Sequence, residues 1–203
     1  MFPQILTEPQ AELLPLVKKF SAGFGLVGGT AVALQLGHRR SIDFDLFCEN
    51  EFDNNAILRK VKRDFTVEFV YMNTDTQLTF LVNQGVKMTF YAYPFKIDYI
   101  KNFKDIIKIP DLLTLAAMKA FALGRRAKWK DYVDLYFILK KFSLGEVVKR
   151  AVKIFEGAFN EKLFREQLSY HADINYTEPV VYLPGKTVSD EIVKKTLKQI
   201  AVS

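Results

Sequence analysis

The chain has a single cysteine, Cys48, so no disulfide can form within it. Two histidines besides leave too few ligands for a Cys/His zinc site. No Gly-x-x-x-x-Gly-Lys-Ser/Thr run occurs, which excludes a P-loop. Met1 to Gln10 carries Pro3, Glu8 and Pro9 and no apolar run, so it does not read as a secretory signal. A reducing, cytoplasmic setting is expected. One charge-free stretch, Phe20 to Gly37, reaches the roughly 18 residues of a membrane helix and contains Gly25-x-x-x-Gly29. It also holds five glycines, Ser21, Thr30 and Gln35, with Arg39-Arg40 directly after. A soluble strand–turn–helix accounts for it, and no membrane partner is expected.

What is present is globular: 203 residues, 49% hydrophobic and 26% charged, enough chain for a core without staples. The charge is +6 and unevenly spread. Residues 1–100 carry 10 Lys/Arg against 11 Asp/Glu, residues 101–150 carry 12 against 5, and residues 151–203 carry 7 against 7. The basic excess therefore sits in one segment, as an anionic partner would require.

Hydrophobic periods predict a helix over Leu13 to Phe20, a short strand Phe24 to Val27, a Gly28-Gly29 turn and a helix from Thr30 to Leu36. Ile42 to Phe47 alternates as a strand, and Asp53 caps a helix running to Arg63. Strands over Phe65 to Met72, Gln77 to Val82 and Val86 to Tyr93 follow, with Gln84-Gly85 as a hairpin turn. From Pro110 the period is helical: 111–123, 129–142, 144–155, 161–169 and 188–202. The expectation is an α/β (α+β) fold, with residues 1–100 forming a mixed sheet flanked by helices. Residues 101–203 are mostly helical and complete a cleft, with a soft boundary near 101.

The segment Val27 to Phe47 carries the chemistry. Backbone amides at a glycine turn opening a helix can hold phosphates. Asp43 and Asp45, at i and i+2 on a strand, point the same way. Such paired hard oxygen ligands suit Mg²⁺ with phosphate oxygens completing its shell. Gly23-x-Gly25-x-x-Gly28 matches the dinucleotide fingerprint as a string only, since a helix precedes it and the strand lies inside it.

Gly28-Gly-Thr30 followed by Asp43-x-Asp45 resembles the nucleotidyltransferase pattern. The words Gly29-Thr-Ala-Val-Ala-Leu-Gln-Leu-Gly-His-Arg39 and Ser41-Ile-Asp-Phe-Asp-Leu-Phe47 resemble the abortive-infection toxin nucleotidyltransferases of the AbiEii/AbiGii type. Residues 115–139, with Ala-Ala-Met-Lys119, Arg126 and Lys-Asp131-Tyr-Val-Asp134-Leu-Tyr, resemble that family's later motifs. The resemblance implies a nucleotidyltransferase-like fold. It also implies a Mg²⁺-dependent transfer of a nucleoside monophosphate from a nucleoside triphosphate to a hydroxyl, an RNA or tRNA end being one acceptor. A cognate antitoxin protein would be the partner.

Gly28, Gly29, Thr30, Arg39, Lys119 and Arg126 would bind nucleotide, and Asp43 and Asp45 would bind metal. Lys119 would steady phosphate charge. Asp131 would hold Lys119 or act as base. Asp134 reads equally as a site residue or a helix-start carboxylate. Arg125, Lys128, Trp129 and Lys130 suit an RNA contact, Trp129 by stacking. His38 reads as a helix-end residue.

One departure stands out. Where many nucleotidyltransferases carry a third carboxylate, Thr89 stands, and Asp98 is the nearest substitute. Two alternatives therefore stay open: a catalytically weak nucleotide- or RNA-binding module of the same fold, and a small-molecule, antibiotic-type nucleotidyltransferase.

Overall fold

The computed structural model describes residues 1–202. Five strands form one mixed sheet in the order β1-β2-β5-β4-β3: β1 (Gly25–Val27), β2 (Phe44–Cys48), β3 (Val67–Asn73), β4 (Gln77–Val82) and β5 (Val86–Ala92). β2 and β5 run parallel, and the other neighbours run antiparallel. Alternation sorts the side chains of the central strands. Phe44, Leu46, Leu78, Phe80, Met88 and Phe90 are buried on one face. Asp45, Phe47, Gln77, Thr79, Thr89 and Tyr91 line the other, where a cleft opens.

Helix α3 (Gly28–Leu36) follows β1 directly and packs against α5 (Leu112–Leu123) and α6 (Trp129–Leu139). Those two helices close the cleft opposite β2. Helices α7 (Leu144–Phe155), α8 (Glu161–Ser169) and α9 (Asp190–Ala201) buttress them, with α7 on α5 and α9 on both α6 and α8. One hydrophobic cluster joins Leu13 and Leu26 to Leu135 and Leu197, so the main core runs across residue 101. Helix α4 (Asn54–Val61) starts at Asp53, whose carboxylate accepts from the Asn55 and Ala56 amides. Phe20 to Gly37 resolves into turn, strand and helix, and no described helix is long and apolar enough to cross a membrane.

Two features depart from the sequence expectation. The expected leading helix is α2 (Leu14–Lys18), and a further short helix, α1 (Glu8–Glu12), precedes it. A capping box between Thr7 and Gln10 starts α1, and Pro15 sits in the first turn of α2, where its missing N–H costs nothing. A hairpin of β6 (Lys101–Phe103) and β7 (Ile107–Ile109) lies in a stretch with no predicted strand. Its turn places Lys104 and Asp105 at φ 49° and 53°, without the Asn-Gly pair that marks such turns.

Candidate active site

The site is built around the end of β1. Gly28 has φ +69°, and a Cβ there would collide with the Asp45 carboxylate. Glycine is thus required twice, by backbone conformation and by close approach. Gly28→Ala is expected to cost roughly 1–3 kcal/mol, read as a lower urea midpoint. No side chain caps the N-terminus of α3, which leaves its first-turn amides beside the cleft. Thr30 is buried instead of facing the cleft. Its hydroxyl bonds the Asp43 carbonyl and Ser41 Oγ (3.0 Å) and so fixes the entry to β2.

Asp43 and Asp45 line one cavity of about 450 Å³ together with Lys87, Lys119, Arg126, Lys128 and Lys130. Lys87 Nζ lies 2.9 Å and Lys130 Nζ 3.8 Å from Asp43 Oδ2. Burial, and then the like charge of Asp43, push the Asp45 carboxyl above its ordinary value. Thr89 is the Cα partner of Asp45 across the parallel β2–β5 pair, with Thr79 Oγ1 3.4 Å from its hydroxyl. A threonine pair therefore stands beside Asp45, and Asp98 does not replace it. Asp98 is exposed in the loop beyond Pro94 and lines no part of this cavity. Among the described residues no three His, Cys, Asp or Glu side chains gather into a metal cluster.

The opposite wall is an ion-pair network. Lys119 is 6% exposed and bridges Asp131 and Asp134, with Asp134 Oδ2 at 2.9 Å. Arg126 Nε donates to Asp131 Oδ2 at 3.1 Å. Asp134 is fully buried and accepts from Arg39 Nε (2.7 Å), Arg39 Nη2 (2.8 Å) and His38 Nε2 (2.7 Å). Asp134 is therefore the anchor that ties the end of α3 to α5 and α6.

Arg39 is 1% exposed, and both edges of its guanidinium are committed to Asp134 and the Arg40 carbonyl. It also lines the cavity, and these bonds tie it into the network behind the acidic pair. Burial raises the Asp131 carboxyl, but Lys119 and Arg126 outweigh it and hold it below the ordinary range. A carboxylate gripped by two cations is a poor proton acceptor, so its geometry suits holding Lys119 and not acting as base. Burial lowers the Lys119 pKa, and Asp131 and Asp134 more than restore it, so the ammonium stays charged.

His38 titrates below its ordinary value because burial outweighs the attraction of Asp134. The ring is neutral, donates from Nε2, and leaves Nδ1 without a partner among the described residues. Its stabilising contribution is complete above the unfolded value of 6.5 and is lost as pH falls towards the lower folded value. Asp134 is held well below 3.8: burial opposes this, but Arg39 and Lys119 prevail. Its contribution is lost only in stronger acid. Urea midpoints are expected to decline as pH falls below 6.5, and His38→Gln, which keeps a donor, should flatten that decline.

The basic segment meets the acidic pair across the cleft, as its charge suggests, but its members divide. Lys128 and Lys130 line the cavity and both pair with Glu178, Lys128 at 2.6 Å. Trp129 is 4% exposed and packs against Tyr132 and Tyr176, with ring centres 6.1 and 5.3 Å away, so it is not free to stack on a base. Arg125 lies over the Phe121 ring at 3.7 Å and borders a second cavity of about 500 Å³. That cavity shares Asp45, Phe47, Tyr91, Lys119 and Arg126 with the first, and the rest of its wall is largely apolar, with Tyr93, Phe95 and Phe121 beside Leu115 and Met118.

Sequence reasoning missed Lys87 and Glu178. Lys87 was signalled by alternation, since Lys87, Thr89 and Tyr91 share the cleft face of β5. Glu178 carried no local signal, because it lies between α8 and α9 in a segment without helix.

The family described as nucleotidyl transferase AbiEii toxin, type IV toxin–antitoxin system, matches residues 17–200. The chain belongs to that family. An uncharacterized protein of Aquifex aeolicus, aq_aa25, is 39% identical over 136 residues, 64% of this chain and 65% of the relative. This AbiEii-family chain thus matches somewhat under two thirds of that relative's length. Two solved structures share the fold. A Helicobacter pylori structure described as a candidate nucleotidyltransferase superposes with a TM-score of 0.66 at 19% identity, covering 96% of this chain and 92% of that one. MenT4, a nucleotidyltransferase toxin of Mycobacterium tuberculosis, gives 0.64 at 15% identity, covering 95% and 81%.

Proposed function

We propose that the protein is a toxin nucleotidyltransferase that moves a nucleoside monophosphate from a nucleoside triphosphate to a hydroxyl and releases pyrophosphate. One observation carries the reading: Asp43 and Asp45 share a cleft with Lys119, Arg126 and the uncapped start of α3. Family membership supports it.

The donor set fits Mg²⁺. Burial and Asp43 disfavour the ionised form of Asp45, and Lys119, Lys87 and Arg126 offset this only in part. A divalent ion held by Asp43 and Asp45 would neutralise that charge and the charge of the phosphates.

The chain's own groups do the positioning. Lys119 spends two of its three donors on Asp131 and Asp134, and the third is available to a phosphate oxygen. Arg126 uses Nε on Asp131 and keeps its terminal nitrogens for the leaving pyrophosphate. The aromatic second cavity suits the nucleobase. The acceptor oxygen bonds to the α-phosphorus as the bond to the β-phosphate oxygen breaks, and the hydroxyl proton passes to water in the open cleft. Phosphoryl transfer makes little demand for a strong base, so the ion pairing of Asp131 is no obstacle.

An RNA acceptor, such as a tRNA end, agrees with Lys128, Lys130 and Arg125 around the opening. The family setting implies a cognate antitoxin protein as partner. The test is incubation with each α-labelled triphosphate, Mg²⁺ and total RNA. Label should enter RNA with the wild type and not with Asp45→Ala. Tight triphosphate binding by calorimetry without any transfer would instead favour a nucleotide-binding module.

A further inference from the structure

We propose that Lys128 and Lys130 form a phosphate-binding site that Glu178 occupies in the free protein, and that a phosphate group of the substrate displaces Glu178. The inference takes the identity of its ligand from the transferase reading, but its geometry stands apart from it.

Each oxygen of Glu178 meets a different ammonium: Oε1 meets Lys128 Nζ at 2.6 Å, and Oε2 meets Lys130 Nζ. Two ammonium groups gripping two oxygens of one anion is how a phosphate would be held. Lys130 also lies 3.8 Å from Asp43 Oδ2, so the pair sits at the edge of the acidic centre. Glu178 stands where two cavities meet. The first holds about 450 Å³ and contains Asp45 and Lys119. The other holds about 440 Å³ and runs past Ile42 to Tyr71 on the edge strand β3. Asp43, Lys87, Lys130 and Glu178 line both. Moving Glu178 aside would join them into one trough.

The chain around Glu178 is built to present it. Asn175 is pinned by Trp129 N to Asn175 O (3.0 Å) and by Asn175 N to Ala127 O (2.7 Å). Val181 accepts from Arg40 N at 2.8 Å, and Leu183 donates to the His38 carbonyl at 3.1 Å. The side chain itself meets only the two lysines among the described residues. Glu178 and Lys128 are about one-third exposed, with side chains at 33% and 35%. Lys130 is less open, at 18%, but an ion pair as accessible as Lys128–Glu178 contributes little to folding, so stability alone does not explain the arrangement. A phosphate group offers at least two acceptor oxygens, and the neighbouring phosphates of a triphosphate or a nucleic-acid strand add charge that a lone carboxylate lacks, so it competes well for the same cations.

The phosphate has two sources, the donor triphosphate or the backbone of an acceptor nucleic acid. The test measures binding alone, with no turnover. A fluorescent twelve-nucleotide single-stranded RNA is titrated without Mg²⁺ or triphosphate, and an α,β-methylene triphosphate is titrated with Mg²⁺ in a calorimeter. Glu178→Gln should bind one of these about three- to tenfold more tightly, with an unchanged melting temperature. Glu178→Gln/Lys130→Gln should lose that gain.

Tighter RNA binding assigns the site to the acceptor, and the salt dependence should then steepen by roughly 0.7, for one phosphate. Tighter triphosphate binding assigns it to the donor. Unchanged or weaker binding of both, with the fold intact, would overturn the proposal. Failure of label transfer alongside tighter binding by Glu178→Gln would sink the transferase reading and leave this site standing.

Discussion

Asp134→Ala is expected to lose about 3–5 kcal/mol of folding stability, the cost of breaking a buried ion pair by removing one partner. The size follows from what the carboxylate holds. It receives two bonds from Arg39, one from His38 and an ion pair from Lys119, all at full burial on its own side. Removing it leaves a guanidinium that is 1% exposed and an ammonium that is 6% exposed with less negative charge than they need. A typical domain has only about 5–15 kcal/mol in total, so the variant should unfold at much lower urea. Lys119→Met should cost less, and the double variant should cost less than the sum, because the two changes remove a shared contact. Urea melts of the three proteins give the coupling directly. A loss below about 1 kcal/mol for Asp134→Ala would show that the network is not what ties α3 to α6.

Asp45→Asn is expected to do the reverse: lose activity and keep or gain stability. The carboxyl of Asp45 is raised by burial and by Asp43, so its ionised form is more costly in the fold than in the unfolded chain. Its folded value lies above the unfolded value. The cost is therefore present at neutral pH and is relieved as pH falls through the folded value. An amide of the same shape removes that cost. The same change removes a ligand for the divalent ion and the charge that complements Lys119 and Arg126 across the cleft. Transfer should fall about 10³-fold, near the loss seen when one preorganised electrostatic group is deleted. A single preparation assayed for melting temperature and transfer checks both. A structural carboxylate would show the opposite pattern, with a lower melting temperature and little change in transfer.

The acidic face was legible because it depends only on the two-residue period of a strand, which puts Asp43 and Asp45 on one side of β2. Gly28 was legible as a turn, but not its approach to Asp45. Lys119, Asp131 and Asp134 came through resemblance to family motifs, with Asp131 expected to hold Lys119 or act as base, and the role of Asp134 came only with the fold. Asp131 holds Lys119 and Arg126, whereas Asp134 anchors His38 and Arg39 from 96 and 95 residues away. Nothing near Arg39 in the chain announces that partner, so its buried bonds to Asp134 had no local signal. Trp129 misled for the same reason: Tyr176, which covers it, belongs to a distant irregular segment. Glu178 lies in that segment too, without period, cap or neighbour to mark it. Local rules of strand and turn carried the acid half of the site, and long-range charge pairing hid most of the basic half.

The most direct test of the central claim compares the fate of two labels. The protein is incubated with Mg²⁺, total RNA and a triphosphate labelled at either the α- or the γ-phosphorus. Nucleotidyl transfer predicts that α-label enters the acceptor, that γ-label appears only in pyrophosphate, and that Asp45→Asn lowers both about 10³-fold. Entry of γ-label into the acceptor, or equal α-label transfer by Asp45→Asn, would contradict the account.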